Sequence, residues 1–290
     1  MRQVAPTLLL LVVTVGCVGG AVQKRVDVGG YRLTVQAMGQ GAPTVVFDAG
    51  LGDSKESWRW IWPAVAKRTR VFVYDRAGLG RSESGPLPRT SRQIVDELHT
   101  ALDRAWVDGP YILVGHSFGG LNMQLFARTY PKEVAALVLL DPTPLEFPEW
   151  EAQSRSLEER QRLETSLSLA SETLRHELDS VDESVQQVRQ AGEPDRIRIV
   201  VLSSGRPEEP EWFRESWKQM QIQLAERLSA SRHIVIDDSG HYIHFDRPEV
   251  VVQTINEIID AQRLGRLSAG RVTRPPPQSA EGTDRAEARP

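Results

Sequence analysis

The sequence predicts an α/β fold, a mostly parallel, doubly wound sheet with a helical insertion, and three observations lead there. Strand-like and helix-like segments alternate from residue 25 to residue 264. Several strand segments, 71–74 and 136–140 among them, are unbroken apolar runs, as suits strands covered on both faces. Between about Glu146 and Asp195 strand signals stop, and charged, helix-favouring sequence takes over. Alternation of this kind implies βαβ units, and the break implies two or three helices laid over the main body.

The elements follow in order. Residues 25–28 and 31–37 flank Gly29-Gly30 and read as a hairpin. Residues 44–48 form a short apolar strand that ends in Ala49-Gly50. Trp58, Ile61, Trp62 and Val65 recur at helical spacing, so 57–66 reads as a helix. Strand 71–74 runs into the turn Asp75-Arg76-Ala77-Gly78-Leu79-Gly80. Ile94, Val95, Leu98, Leu102 and Ala105 give helix 91–106 one apolar face. Strand 111–115, helix 121–130 and strand 136–140 complete the first half, and after the insertion come strand 198–202, helix 211–228 and strand 233–236. The last helix, 247–263, is opened by Asp246-Arg247-Pro248-Glu249, a plausible N-cap with Glu three residues on. The chain therefore divides into a core of residues 24–142 and 197–264, a helical cap of 143–196, and a proline-rich, charged tail of 265–290 expected to be disordered.

Residues 1–23 differ from the rest. A short positive start at Arg2 precedes an apolar run from Leu8 to Val15 and a stretch of small residues at 16–21, and charge resumes at Lys24. That is the layout of an export signal, and the run is short for a membrane span. It predicts an exported protein, periplasmic or extracellular, unless the segment is kept as a membrane anchor. Val15-Gly16-Cys17 resembles the end of a bacterial lipoprotein signal, with Thr14 where Leu is usual. Cys17 is thus either lipidated or discarded with the signal. It is the single cysteine, so the mature body has no disulfide. With a net charge of -4, no basic field recruits nucleic acid.

The strongest chemical signal is Gly115-His116-Ser117-Phe118-Gly119, a G-x-S-x-G run between strand 111–115 and the following helix. Such a turn exposes a serine hydroxyl at a strand-to-helix corner, and the helix N-terminus favours negative charge on a reacting oxygen. A second signal is Gly240-His241 in the loop between the last strand and last helix. A serine hydroxyl is a poor nucleophile until a placed imidazole takes its proton.

On these residues the chain resembles the α/β-hydrolase superfamily, in its capped, esterase- and lipase-like form, over residues 25–264. The resemblance implies Ser117 as nucleophile and His241 as general base. It offers two places for the acid that orients His241. One is Asp141, after strand 136–140, which is favoured because Asp is short and held at a strand end. The other is Glu208 or Glu209, in the loop after strand 198–202, where the family's usual Asp is absent. The oxyanion hole would take one N–H from Phe118 and one from Leu51, although this chain has Ala49-Gly50-Leu51 where the family usually has His-Gly-x. The turn at 75–82 resembles the family's D-R-x-G-x-G-x-S and is read as structural, with Asp75 and the glycines fixing it.

His116 is read as structural and His244 as packing or orienting its loop. The His241/His244 spacing alone does not make a metal site, since no Cys or third His accompanies it. His99, His176 and His233 have no motif context and are read as surface residues. Phe147, Trp150, Leu167 and Leu169 either line an acyl pocket or pack the cap helices. The expected activity is hydrolysis of a small-molecule carboxylic ester through an acyl-enzyme, with no cofactor. An aminopeptidase or amidase on the same fold, and a non-catalytic ligand-binding protein, stay open as alternatives. Serine at the elbow, where dehalogenases and epoxide hydrolases of this fold carry Asp, argues against those activities.

Overall fold

The computed structural model describes residues 22–154, 156–194, 197–206, 211–229 and 232–269. Residues 1–21 of the expected export signal, Cys17 among them, together with Glu208, Glu209 and most of the tail, lie outside the described residues. Eight strands form one sheet in the order β1-β2-β4-β3-β5-β6-β7-β8. They are β1 (Val22–Asp27), β2 (Arg32–Met38), β3 (Thr44–Asp48), β4 (Val71–Tyr74), β5 (Tyr111–His116), β6 (Val134–Leu140), β7 (Arg198–Ser204) and β8 (Arg232–Ile236). The β1–β2 hairpin and the β2–β4 pairing are antiparallel, and every later pairing is parallel.

Alternation along the central strands explains the two layers of helices. Leu113 of β5 and Leu137 and Leu139 of β6 face one apolar cluster. Ile112, Val114, Ala136, Val138 and Leu140 face another on the opposite side of the sheet. The first cluster is closed by α2 (Ser91–Arg104) and α3 (Phe118–Thr129), through residues such as Leu98 and Leu125. The second is closed by α1 (Trp62–Ala66) and the end helix, through Val65, Ile255 and Ile259. Both faces are covered by apolar side chains, so the strands need no polar alternation. The expected helix 57–66 is split: a 3-10 turn at Lys55–Trp58 precedes α1, which starts with Pro at its second residue, a position where the missing N–H costs nothing.

The insertion holds four described helices where two or three were expected: α4 (Phe147–Ser154), α5 (Leu157–Ser168), α6 (Glu172–Asp179) and α7 (Val181–Gln190). Local capping supplies the extra break. The Ser171 hydroxyl accepts the Leu174 N–H at 3.2 Å, which starts α6 afresh. Ser180 then ends α6 and begins α7. The core resumes with α8 (Glu211–Arg227), the short α9 (Ile243–Asp246) and α10 (Pro248–Ala269). Among the described residues, no helix is long and apolar enough to cross a membrane.

Candidate active site

Ser117 stands between β5 and α3 with φ 52° and ψ -120°, a backbone region that costs a non-glycine residue about 1–3 kcal/mol. Its main chain is held from both sides. Its N–H donates to Leu140 O at 3.1 Å, and its carbonyl accepts from Gly120 N at 2.8 Å and Thr143 N at 3.2 Å. The two flanking glycines are required by space. A Cβ on Gly119 would lie 2.5 Å from the carbonyl oxygens of Asp48 and Ala49, and one on Gly115 would lie 2.5 Å from Gly119 O. The exit of β3 therefore rests directly on the first turn of α3. That contact brings the loop carrying Leu51 alongside Phe118, whose N–H, at the first helical position, has no partner within its own helix.

Asp141 follows β6 and is fully buried. Its backbone also has positive φ, 40°, and its N–H is held by Leu202 O at 2.7 Å. Three donors meet its carboxylate. Ser204 N reaches Oδ1 at 2.9 Å, while Trp217 Nε1 and His241 Nδ1 reach Oδ2 at 3.0 and 2.7 Å. A carboxylate only accepts, so the His241 proton facing it sits on Nδ1, and in a neutral imidazole Nε2 is then the unprotonated nitrogen. The structure thus brings Asp141 to His241. The partners Trp217 and Ser204 were not found from sequence. Trp217 offered only an aromatic in a long helix, with no sign that its N–H would turn toward a strand end.

The His241 loop is braced from below. Ser239 O accepts from Ser204 Oγ and Arg206 N at 2.9 and 3.0 Å, and Gly240 N donates to Asp246 Oδ2 at 2.8 Å. His116 Nε2 bonds the His241 carbonyl at 3.0 Å, which makes Nε2 the protonated nitrogen. Burial, and then the neighbouring imidazoles of His241 and His244, which resist a further positive charge, hold the His116 pKa well below the ordinary histidine value. Burial also lowers His244 to about 3. Its ring lies 4.6 Å from Trp58, 4.5 Å from His116 and 4.4 Å from Phe245. Both histidines are therefore neutral packing groups rather than bases. Asp53, beside Gly50, is pushed up by burial against the pull of Arg76 and His241.

His244 gives a stability prediction with a definite sign. Its folded pKa lies below its unfolded value near ~6.5, so the unfolded chain binds the extra proton between about pH 6.5 and about 3. Its contribution is complete above pH ~6.5 and is lost as the pH falls, by up to ~1.4 kcal/mol per pH unit. His244→Phe is expected to flatten the acid limb of stability, measured by urea unfolding between about pH 7 and about pH 4. An unchanged acid limb would contradict this.

Asp75 fixes its turn by accepting from Lys55 N at 2.9 Å, Lys55 Nζ at 3.2 Å and Arg81 N at 3.1 Å. His99, His176 and His233 are half-buried rather than surface residues. His99 stacks on Tyr130 at 3.8 Å and His233 pairs with Ser203, contacts that single-residue context does not reveal. Phe147 and Trp150 join an aromatic group made with α8. Phe147 lies 5.7 Å from Trp217, Trp150 lies 5.1 Å from Phe213, and Phe213 stacks on Trp217 at 5.4 Å. Trp217 in turn lies 5.8 Å from His241. Leu169 points to solvent, 89% exposed, and the side chain of Leu167 lies outside the described residues. Among the described residues, no group of three or more His, Cys, Asp or Glu is placed to hold a metal ion.

Comparison with known proteins agrees with this architecture. A family model described as "Alpha/beta hydrolase family" matches residues 45–254. The uncharacterized protein YqjL of Bacillus subtilis (strain 168) is 30% identical over 229 residues, 78% of this chain and 87% of YqjL. Among solved structures, Cfl2 from Burkholderia cenocepacia superposes with a TM-score of 0.64 at 20% identity, covering 84% of this chain and 97% of Cfl2. A serine hydrolase involved in carbazole degradation, the CarC enzyme, superposes with a TM-score of 0.58 at 18% identity, covering 83% of this chain and all of that one (100%).

Proposed function

The chain belongs to the alpha/beta hydrolase family and is a hydrolase, and we propose that it is a serine hydrolase cleaving carboxylic esters through an acyl-enzyme. The observation that carries this reading is the 2.7 Å bond from His241 Nδ1 to Asp141 Oδ2, in a chain whose elbow serine is Ser117. Ser117, Asp141 and His241 follow one another in the order nucleophile, acid, base. Ser117 Oγ attacks the ester carbonyl as His241 Nε2 takes its proton. The carbonyl oxygen becomes an oxyanion held by the N–H groups of Phe118 and Leu51. Collapse expels the alcohol, which receives the proton from His241. A water then attacks the acyl-serine by the same steps and releases the acid. No cofactor enters this route.

The aromatic group of Phe147, Trp150, Phe213 and Trp217 adjoins His241, and it supports an apolar acyl or alcohol portion on the substrate. An amine-bearing substrate, as an aminopeptidase takes, would need an acidic anchor. The cap carboxylate bonded to the oxyanion loop, Glu177, is instead taken up by Arg76 and Gly52 N, which favours the ester. Turnover of p-nitrophenyl esters from acetate to long chains, beside aminoacyl p-nitroanilides, tests this reading. The expected result is ester hydrolysis exceeding amide hydrolysis. Faster amide turnover, or no ester turnover, would overturn it. Export of the chain and membrane attachment through its N-terminal segment remain part of this proposal, on the pattern of residues 1–23. Unchanged membrane association in Cys17→Ser would remove lipidation.

A further inference from the structure

Building on the serine-hydrolase reading, we infer that Arg76 and the cap residue Glu177 are positioning residues for the oxyanion hole. The loop after β3 lacks the histidine usual beside its glycine, and Ala49, Gly50 and Gly52 have almost no side chain with which to fix themselves. Within the loop Asp53 N donates to Gly50 O at 3.1 Å, and Arg76 adds the side-chain bonds from outside. Its Nη1 donates to Asp48 Oδ1 and to Ala49 O, both at 2.7 Å, and its Nη2 donates to Gly50 O at 2.6 Å. Gly50 C=O and Leu51 N–H belong to one planar trans peptide, in which they point in opposite directions. A bond that holds the carbonyl therefore aims the N–H. The proposed donor of Leu51 is oriented through Gly50 O by the Arg76 guanidinium.

Glu177 completes the arrangement from the cap. Its Oε1 accepts Arg76 Nε at 2.7 Å, and its Oε2 accepts Arg76 Nη2 at 2.9 Å and Gly52 N at 2.9 Å. The bidentate fork fixes the guanidinium in one plane, and the bond to Gly52 N holds the far side of Leu51. Arg76, Asp48 and Glu177 are all buried, at 1%, 1% and 0% side-chain exposure, so solvent does not screen the pairs. Asp48 Oδ2 also accepts Asn122 Nδ2 at 2.7 Å. Asn122 lies on α3, the helix that begins with Phe118. Both proposed donors are thereby tied to one buried network. Leu174 and Thr173 of α6 seat the cap helix on the same loop and turn: a Cβ on Gly52 would lie 2.9 Å from Leu174 Cδ1, and Thr173 Oγ1 donates to Gly78 O at 3.1 Å.

The test uses Glu177→Gln and Glu177→Asp in the full chain. The first keeps shape and one acceptor oxygen, and the second keeps charge with a shorter reach. For both, kcat on a p-nitrophenyl ester is expected to fall about 10- to 100-fold with KM within about threefold, as a small misplacement of a catalytic group does. Affinity for an alkyl boronic acid, which forms a tetrahedral adduct, should fall in step with kcat, while affinity for the product carboxylate stays put. Amide exchange of residues 49–54 should quicken, a readout independent of turnover. If the wild type hydrolyses ester and both variants keep kcat and boronate affinity within about twofold, the positioning role is overturned. If exchange quickens but the wild type cleaves no ester, the loop brace stands and the ester reading fails.

Discussion

Asparagine in place of Asp141 is expected to lower kcat by about 10³–10⁴-fold with the fold retained. The carboxylate of Asp141 accepts from His241 Nδ1, Trp217 Nε1 and Ser204 N. An amide of the same shape has one acceptor oxygen and one donor nitrogen. With the oxygen toward Ser204 N, the amide nitrogen faces His241 and Trp217, and His241 Nδ1 must become the acceptor. The imidazole proton then moves to Nε2, and the base is lost. The fall should appear in kcat more than in KM, because the interaction strengthens as His241 becomes charged. Activity retained within about tenfold would mean that another residue, such as Glu208 or Glu209, orients His241.

Removal of the Ser117 hydroxyl has the largest expected effect of all. Ser117→Ala should leave at most ~10⁻⁴ of wild-type turnover, the residue of catalysis that binding and the oxyanion hole supply without a nucleophile. Stability should move the other way for glycine at this position. Ser117 holds φ 52°, so Ser117→Gly relieves backbone strain of about 1–3 kcal/mol, offset by the greater freedom of glycine in the unfolded chain. A glycine variant that is inactive and at least as heat-stable as the wild type is the expected outcome. A clear loss of stability would show that the elbow is not strained in solution.

The mostly parallel sheet and the strand-to-helix corner at Ser117 were legible because both rest on local pattern, whereas the strand order was not. Unbroken apolar runs such as 71–74 marked buried parallel strands, and Gly115 and Gly119 marked a corner where backbones touch. The position of Asp141 could be argued from the family resemblance and from its place at a strand end. Its pairing with His241 was favoured on that ground but left open against Glu208 or Glu209, because the two residues are 100 apart in sequence and meet through the β6–β7–β8 pairing. The fourth cap helix escaped notice because it depends on a single serine cap. Arg76 and Glu177 escaped for a different reason. An arginine in a glycine-rich turn and one glutamate among many in the cap give no periodic signal, and the contact between them spans 101 residues.

The acyl-enzyme route requires a covalent acyl group at Ser117. Intact-protein mass measurement during turnover of a slowly deacylating p-nitrophenyl ester addresses this directly. The predicted result is a mass increase equal to the acyl group, confined to the tryptic peptide that ends at Arg128, and absent from Ser117→Ala. Ester turnover with no adduct, or an adduct that persists in Ser117→Ala, would contradict it.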